Sequence, residues 1–202
     1  MNDASLHSPI ATEEGRGNLP GAAARQPTLL IKNARLLVTM DQARREIADG
    51  AVFVRGNVIE AVGAGKDLPQ HADDVIDARD HIVIPGLINT HHHFYQWMTR
   101  GWAFDCTLFG WLTTLYPVWA RLTPEDVEVA SAVALGELAL SGCTTAADHH
   151  YVVPGGDDSV FDAIAGAARE VGIRLVLSRG SMDLGERDGG LPPDHVVEDR
   201  DT

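Results

Sequence analysis

The sequence HIVIPGLINTHHH, which runs from His81 to His93, decides the fold. Its segment Ile82–Ile88 is apolar at nearly every position, which is typical of a strand covered on both faces in a parallel sheet or barrel. Because side chains alternate along a strand, His91 and His93 are predicted to point to the same side. Neutral imidazoles are common ligands of Zn, Fe and Ni, so this H-x-H pair can place two rings on one metal ion. Three adjacent histidines can also be a solvated loop or an adventitious nickel binder.

The chain on either side of this stretch predicts two units. Residues 28–83 hold short β-rich runs, with Arg55-Gly56-Asn57 as a hairpin connection, and they predict a small antiparallel sheet. Residues 84–202 alternate strand, helix, strand, helix and strand, which predicts right-handed βαβ units and a parallel sheet. We expect residues 1–27 to form a mobile lead-in. The predicted fold class is α/β.

Helix and strand signals are clear in the second unit. Thr123-Pro124 predicts a helix start with a hydroxyl cap and proline at the first helical position, and Ser141-Gly142 predicts its end. The further elements predicted are a strand over Thr144–Val153, a helix over Ser159–Glu170 and a strand over Ile173–Leu177. The interval between Phe94 and Leu122 is long for a connection between strand and helix and holds all four tryptophans, which favours a functional role for it.

Composition narrows the class of partner. The chain has 202 residues with 29 acidic and 16 basic side chains, which give a net charge of -13. This balance argues against a nucleic-acid backbone or an anionic membrane surface and favours a small neutral or cationic ligand. No apolar run reaches the roughly 20 residues that cross a bilayer. Cys106 and Cys143 lie far apart without metal-binding spacing, so we expect a reduced, cytoplasmic protein.

Several motifs in order carry a family resemblance. They are IPGLINTHHH (84–93), HHHFYQ (91–96), LFGWLTTLYPVWARLTPE (108–125), ELALSGCTTAADHHYV (137–152) and SRGSMDLGERDGGLPPD (178–194). The chain from Thr28 onward resembles the amidohydrolase superfamily, in its branch of cytosine, guanine and triazine deaminases. Within that branch it is similar to 8-oxoguanine deaminases and hydroxyatrazine ethylaminohydrolases. The fold that this resemblance implies is the first part of a metal-dependent hydrolase barrel of the TIM type, incomplete after about three strands. A small β-sandwich segment over residues 28–83 precedes it.

The resemblance also implies roles for individual residues. His91 and His93 match the first two ligands of one divalent metal ion, with Zn favoured and Fe as the alternative. Gln96 matches a glutamine that faces the purine edge, and Trp111 matches a tryptophan that covers the bound heterocycle. Arg179 lies just past the third barrel strand, where a guanidinium can hold a ring carbonyl. A polar loop residue at Gln96 and a structural salt bridge at Arg179 are the alternatives.

The activity implied by the resemblance is hydrolytic deamination of an amino-substituted N-heterocycle with release of ammonia. The favoured substrate is 8-oxoguanine, and hydroxyatrazine-type triazines and isoxanthopterin are alternatives. In this family a Glu and an Asp on later strands move the protons, and we expect both beyond residue 202. A barrel of this kind takes about 250 residues. We therefore expect the chain to be the N-terminal portion of a longer enzyme, inactive alone and homo-oligomeric in its full-length form.

Two other interpretations stay open at this point. A binuclear hydrolase of the hydantoinase or dihydroorotase type also begins with H-x-H, but it bridges two metals with a modified lysine on a later strand. The lysines of this chain, Lys32 and Lys66, both lie in the first unit. The second interpretation is a non-catalytic product, truncated or split, that serves as an interaction module.

Overall fold

A computed structural model describes residues 25–199, and the chain divides into two compact units, Met1–Ile84 and Pro85–Thr202. The lead-in that we expected over residues 1–27 lies almost entirely outside the described residues. No helix in the described part is both long enough and apolar enough to cross a membrane.

The first unit consists of two small mixed sheets. Its strands are β1 (Thr28–Ala34), β2 (Leu36–Val38), β3 (Glu46–Ile47), β4 (Gly50–Arg55), β5 (Val58–Ala64), β6 (Asp74–Asp77) and β7 (Ile82–Val83). Four of them form a sheet in the order β5-β4-β1-β6, and three form a sheet in the order β3-β2-β7. The hairpin predicted between β4 and β5 is confirmed. The prediction of a purely antiparallel sheet is wrong, because β6 and β7 return parallel to β1 and β2.

The two sheets of the first unit approach each other closely at Gly50. A Cβ atom at this position would lie 2.5 Å from the Cβ of Leu37 and 2.9 Å from the carbonyl oxygen of Ile47. Since real Cβ atoms do not approach so closely, only glycine fits between the sheets here. Leu30 and Phe53 contribute to one small core, and Leu37 contributes to a second.

The second unit is a parallel sheet with helices. Its elements are β8 (Leu87–Asn89), α1 (Leu108–Trp119), α2 (Pro124–Leu140), β9 (Cys143–His150), α3 (Ser159–Val171) and β10 (Arg174–Arg179). The strand order is β10-β9-β8, and both pairings are parallel. Helix α2 packs on β9 and on α3, and α3 packs on β10. The predicted α/β class with three barrel strands is therefore confirmed in this unit.

The apolar run predicted as one strand, Ile82–Ile88, is divided between two sheets. Strand β7 ends at Val83, and β8 begins only at Leu87. Pro85 lies between them and offers no N–H to a strand ladder. At Gly86 a Cβ atom would lie 2.2 Å from Cγ2 of Thr144, so the chain passes β9 too closely for any side chain. The prediction of a continuous strand is wrong because these two residues interrupt it.

One face of the β10-β9-β8 sheet lacks a cover among the described residues. Ile88 on β8 is 68% exposed and Val176 on β10 is 57% exposed. On the opposite face Ala146 is fully buried, together with residues of the helical layer such as Ile164. The prediction that both faces of the first strand are covered is therefore wrong for this part of the chain. Apolar residues without alternation remain typical of parallel strands, which is why the sequence pattern indicated a buried strand.

Helix α2 begins as its sequence predicts. The Thr123 side chain accepts a hydrogen bond from the backbone N–H of Asp126, and the Asp126 carboxylate accepts one from the backbone N–H of Thr123. This reciprocal capping box satisfies two amide donors that the first turn otherwise leaves free. Helix α3 ends at Gly172, whose φ of +80° is readily adopted only by glycine.

The segment between β8 and α2 forms a short 3-10 turn over Phe94–Thr99, followed by α1. A buried hydrogen-bond chain holds this turn. The indole N–H of Trp119 donates to Oγ1 of Thr99 at 2.9 Å, and Thr99 Oγ1 donates to the carbonyl oxygen of Gln96 at 3.2 Å. Since Trp119 is fully buried, this chain anchors the turn to the core.

We predict that Thr99→Val lowers the free energy of unfolding by about 1–3 kcal/mol, because the buried indole N–H of Trp119 loses its acceptor. Urea denaturation followed by tryptophan fluorescence measures the change. Thr113→Val is the matched control, because Thr113 is exposed on α1 and bonds only within its own helix. Equal stability of the Thr99 variant and the wild-type protein would contradict the proposed anchor.

Candidate functional site

The site is built around two imidazole rings that follow β8. The ring centroids of His91 and His93 lie 4.8 Å apart, with the rings nearly perpendicular. Two imidazoles bound to one tetrahedral zinc ion through nitrogens at 2.0–2.1 Å would have ring centres about 5 Å apart. The structure thus brings together the two residues that the sequence assigned to a metal, at a spacing that fits a shared ion.

The His93 ring is fixed by the neighbouring strand. Its Nδ1 lies 2.6 Å from the carbonyl oxygen of His149 on β9. Because a carbonyl oxygen only accepts, Nδ1 carries the hydrogen and donates it, and the lone pair of the neutral ring is then on Nε2. The backbone N–H of His149 also donates a hydrogen bond to the carbonyl oxygen of His92 at 2.8 Å, which joins β9 to the segment that follows β8. Hydrogen bonding of one ring nitrogen is the usual way in which a metal-binding histidine is oriented.

The His149 ring lies beside the pair but is itself engaged. It stacks on the His91 ring at a centroid distance of 4.7 Å, and its Nε2 donates to the carbonyl oxygen of Thr90 at 3.3 Å. Within residues 25–199, no group of three or more His, Cys, Asp or Glu side chains is arranged to hold a metal ion. A catalytic zinc site takes three protein ligands, so a third would be needed beside the predicted pair of His91 and His93.

Burial favours the neutral form of the His93 ring. Partial burial lowers the pKa of His93, and the nearby rings of His91 and His149 lower it further, against the opposite effect of the hydrogen bond to His149. A neutral imidazole at physiological pH is the form that binds a metal ion.

Asp148 secures the backbone immediately after the pair. This residue is fully buried, and one of its carboxylate oxygens accepts a hydrogen bond from the backbone N–H of Phe94 at 2.8 Å. Burial raises the pKa of Asp148 to about 7. Its neighbour His150 is also fully buried, and burial lowers the pKa of that ring to about 4. Both side chains therefore support the site from the interior rather than line it.

The histidine pair opens onto a cavity of about 460 Å³, a size usual for small-molecule sites. All of the residues that line it belong to the second unit, and most follow β8 directly. They are His91, His92, His93, Gln96, Trp97, Thr99, Arg100, Gly101 and Trp111. The cavity thus combines the histidine pair with two indole side chains, an amide and a guanidinium.

The cavity contains two of the three substrate-binding residues that the sequence predicts. The Nε2 amide of Gln96 donates to the hydroxyl of Tyr95 at 3.3 Å, which leaves Oε1 as an acceptor for a ligand. The Trp111 ring packs edge-on against the buried Trp119 ring, with centroids 4.9 Å apart. Both side chains are therefore held by the interior of the unit.

The structure places the third predicted residue, Arg179, away from the cavity lining. Its guanidinium forms ion pairs with Asp158, at 3.0 Å, and with Glu198. It also lies 5.5 Å from the centre of the Phe161 ring. These contacts are those of the structural salt bridge that was the alternative for Arg179, and a contact between Arg179 and substrate stays a prediction.

Five of the nine residues that line the cavity were not predicted from the sequence: His92, Trp97, Thr99, Arg100 and Gly101. Of the four tryptophans, only Trp111 was given a role in binding, and Arg100 was not singled out. The turn over Phe94–Thr99 has neither the helical nor the strand period, so no pattern indicated which of its side chains face the cavity. The dipeptide Arg100-Gly101 was the available signal for the end of this turn.

Comparison with known proteins shows which family this chain resembles. The amidohydrolase family profile matches residues 82–201. The chain is 55% identical over 159 residues to 8-oxoguanine deaminase of Pseudomonas aeruginosa, covering 78% of this chain and 35% of that protein. It is 34% identical over 190 residues to hydroxydechloroatrazine ethylaminohydrolase of Pseudomonas sp. strain ADP, covering 87% of this chain and 39% of that protein.

A solved structure shares both the fold and part of the sequence. Atrazine chlorohydrolase from Arthrobacter aurescens TC1, crystallised with zinc, superposes with a TM-score of 0.76 at 35% identity, over 84% of this chain and 39% of that one. The chain therefore spans between about a third and two fifths of the length of these proteins. Because the family profile covers more than half of the chain and includes the histidine pair and the cavity, the chain belongs to the amidohydrolase family.

Proposed function

We propose that this chain forms the first part of the metal- and substrate-binding site of an aminohydrolase. The enzyme hydrolytically deaminates an amino-substituted N-heterocycle and releases ammonia, and 8-oxoguanine is the favoured substrate. The observation that carries the proposal is the His91–His93 pair, which opens onto a cavity lined by Gln96 and Trp111. The identity of 55% to an 8-oxoguanine deaminase supports the choice of substrate.

The metal that this donor set favours is a divalent ion, zinc before iron. His91 and His93 would hold it, with His93 presenting Nε2 because its Nδ1 donates to His149. The presence of zinc in the atrazine chlorohydrolase crystal supports the same choice. When bound, such an ion supplies Lewis-acid chemistry and makes a water molecule more acidic.

The cavity residues bind and orient a flat heterocycle. The Trp111 indole offers a face for an aromatic ring, and such stacking adds about 0.5–1.5 kcal/mol beyond burial of area. The free Oε1 of Gln96 accepts a hydrogen bond from an amino or ring N–H group. Together they hold the ring with its amino-bearing carbon toward the histidine pair.

Proton transfer requires groups other than those in the cavity. Its lining includes no Asp or Glu side chain among the described residues. We propose that the acidic groups of the reaction belong to the remainder of the whole enzyme, and that the 202-residue chain alone does not turn over substrate. A hydroxylated aminotriazine is the second candidate substrate, favoured by the 34% identity to hydroxydechloroatrazine ethylaminohydrolase.

We predict that His91→Ala weakens Zn²⁺ binding by the chain by more than about 10- to 100-fold. Loss of only the hydrogen-bond partner of a metal ligand already weakens metal binding by about that factor, and here the ligand itself is removed. Competition with a chromophoric chelator measures the affinity. His81→Ala, at an exposed histidine of the first unit, is the matched control and should leave the affinity unchanged. Unchanged affinity in the His91 variant would exclude this residue as a ligand.

For the reaction, we predict that the complete protein in which this sequence occurs releases ammonia from 8-oxoguanine faster than from a hydroxylated aminotriazine or isoxanthopterin. An enzyme-coupled ammonia assay on the three compounds measures the rates, with the 202-residue chain as the inactive control. Turnover of the triazine alone would overturn the choice of 8-oxoguanine, and turnover of none would overturn the proposed function.

A further inference from the structure

Arg100 provides a positive charge at the cavity that no role described above uses. It follows the 3-10 turn over Phe94–Thr99 and lines the cavity together with the histidine pair. Its guanidinium carbon lies 4.4 Å from the centre of the Trp97 ring. A guanidinium stacked on an indole face keeps its N–H groups free at the edge of the plane, where they can donate to a ligand.

The backbone and the neighbouring side chain both fix the place of this guanidinium. The backbone N–H of Arg100 donates to the carbonyl oxygen of Trp97 at 3.2 Å, and Gly101 then turns the chain with a φ of +83°. The Trp97 indole N–H in turn donates to Nε2 of His92 at 3.4 Å. The stacking surface for Arg100 is thus tied to the segment that carries the metal-binding pair.

The charge of Arg100 is not neutralised within the described part of the chain. Of the twelve arginines among residues 25–199, Arg100 is one of six without an ion pair to Asp or Glu there; the six that form one are Arg25, Arg45, Arg55, Arg79, Arg179 and Arg187. No ion pair of Arg100 with Asp or Glu is found among residues 25–199, although acidic residues outnumber basic ones 29 to 16 in the sequence. An arginine without a carboxylate partner at a cavity is available for an electron-rich oxygen of a ligand.

We propose that Arg100 is a specificity-determining residue that binds a ring carbonyl or enolate oxygen of the substrate. This inference rests on the proposed function and narrows it to oxo-substituted amino heterocycles. Trp111 stacks on any flat ring and Gln96 can pair with many polar edges, so neither selects strongly for an oxygen substituent. A guanidinium selects for an oxygen substituent, because it can only donate hydrogen bonds and its charge strengthens them.

The test is isothermal titration calorimetry of the complete protein in which this sequence occurs, prepared without metal so that 8-oxoguanine is bound but not turned over. Two ligands are compared: 8-oxoguanine, which has ring carbonyls, and 2,6-diaminopurine, which has amino groups and no carbonyl. Arg100→Met keeps an unbranched side chain on Trp97 and removes the charge. We expect it to weaken binding of 8-oxoguanine by about 10- to 100-fold, as for loss of a charge-assisted hydrogen bond, and to change binding of 2,6-diaminopurine less than about twofold.

Two further variants test whether the effect depends on the position of the arginine and on the planar geometry of its guanidinium. Arg121→Met removes an exposed arginine outside the cavity and should leave both affinities unchanged. Arg100→Lys keeps the charge but loses the planar fork, and we expect it to restore only part of the affinity for 8-oxoguanine. Circular dichroism of each variant confirms that the fold is retained.

The outcomes distinguish this inference from the function on which it rests. If the wild-type protein binds both ligands and Arg100→Met weakens neither, or weakens both equally, the role of Arg100 is overturned while the proposed function stands. If the wild-type protein binds neither ligand, the proposed function fails and the role of Arg100 fails with it.

Discussion

The hydrogen bond from Nδ1 of His93 to the carbonyl oxygen of His149 is the interaction on which the site depends. It sets three properties: the orientation of the ring, the nitrogen that carries the hydrogen, and the nitrogen that keeps the lone pair. A backbone carbonyl in a strand cannot rotate away, so the acceptor is as rigid as β9 itself. The parallel pairing of β8 with β9 is therefore what places an acceptor beside a ring that follows β8.

The cavity follows from the same short segment. After His93 the chain forms a 3-10 turn instead of entering a helix at once, and this turn delivers Gln96, Trp97 and Arg100 to one opening. The hydrogen bond between the buried side chains of Thr99 and Trp119 anchors this turn to the core. Binding groups are thus carried by a connection between strand and helix, while the regular elements supply the rigid support.

The sequence predicted the parts of this structure that rest on local rules. The α2 start at Thr123 follows from cap chemistry, and the close pairing of the His91 and His93 rings agrees with the H-x-H spacing. What the sequence could not show depends on contacts between distant residues. The break at Pro85-Gly86 reflects the close passage of Thr144, and the ion pairs of Arg179 need residues 21 and 19 positions away.

Nitrogen NMR of the histidine rings in the metal-free protein tests the hydrogen bond from His93 to His149, because two-bond correlations show which ring nitrogen carries the hydrogen. We expect His93 to be neutral with its hydrogen on Nδ1, as its bond to the carbonyl oxygen of His149 requires. A neutral His93 ring with its hydrogen on Nε2 would contradict this hydrogen bond, since the lone pair would then lie on Nδ1 against the carbonyl oxygen of His149 and would not be free for a shared ion.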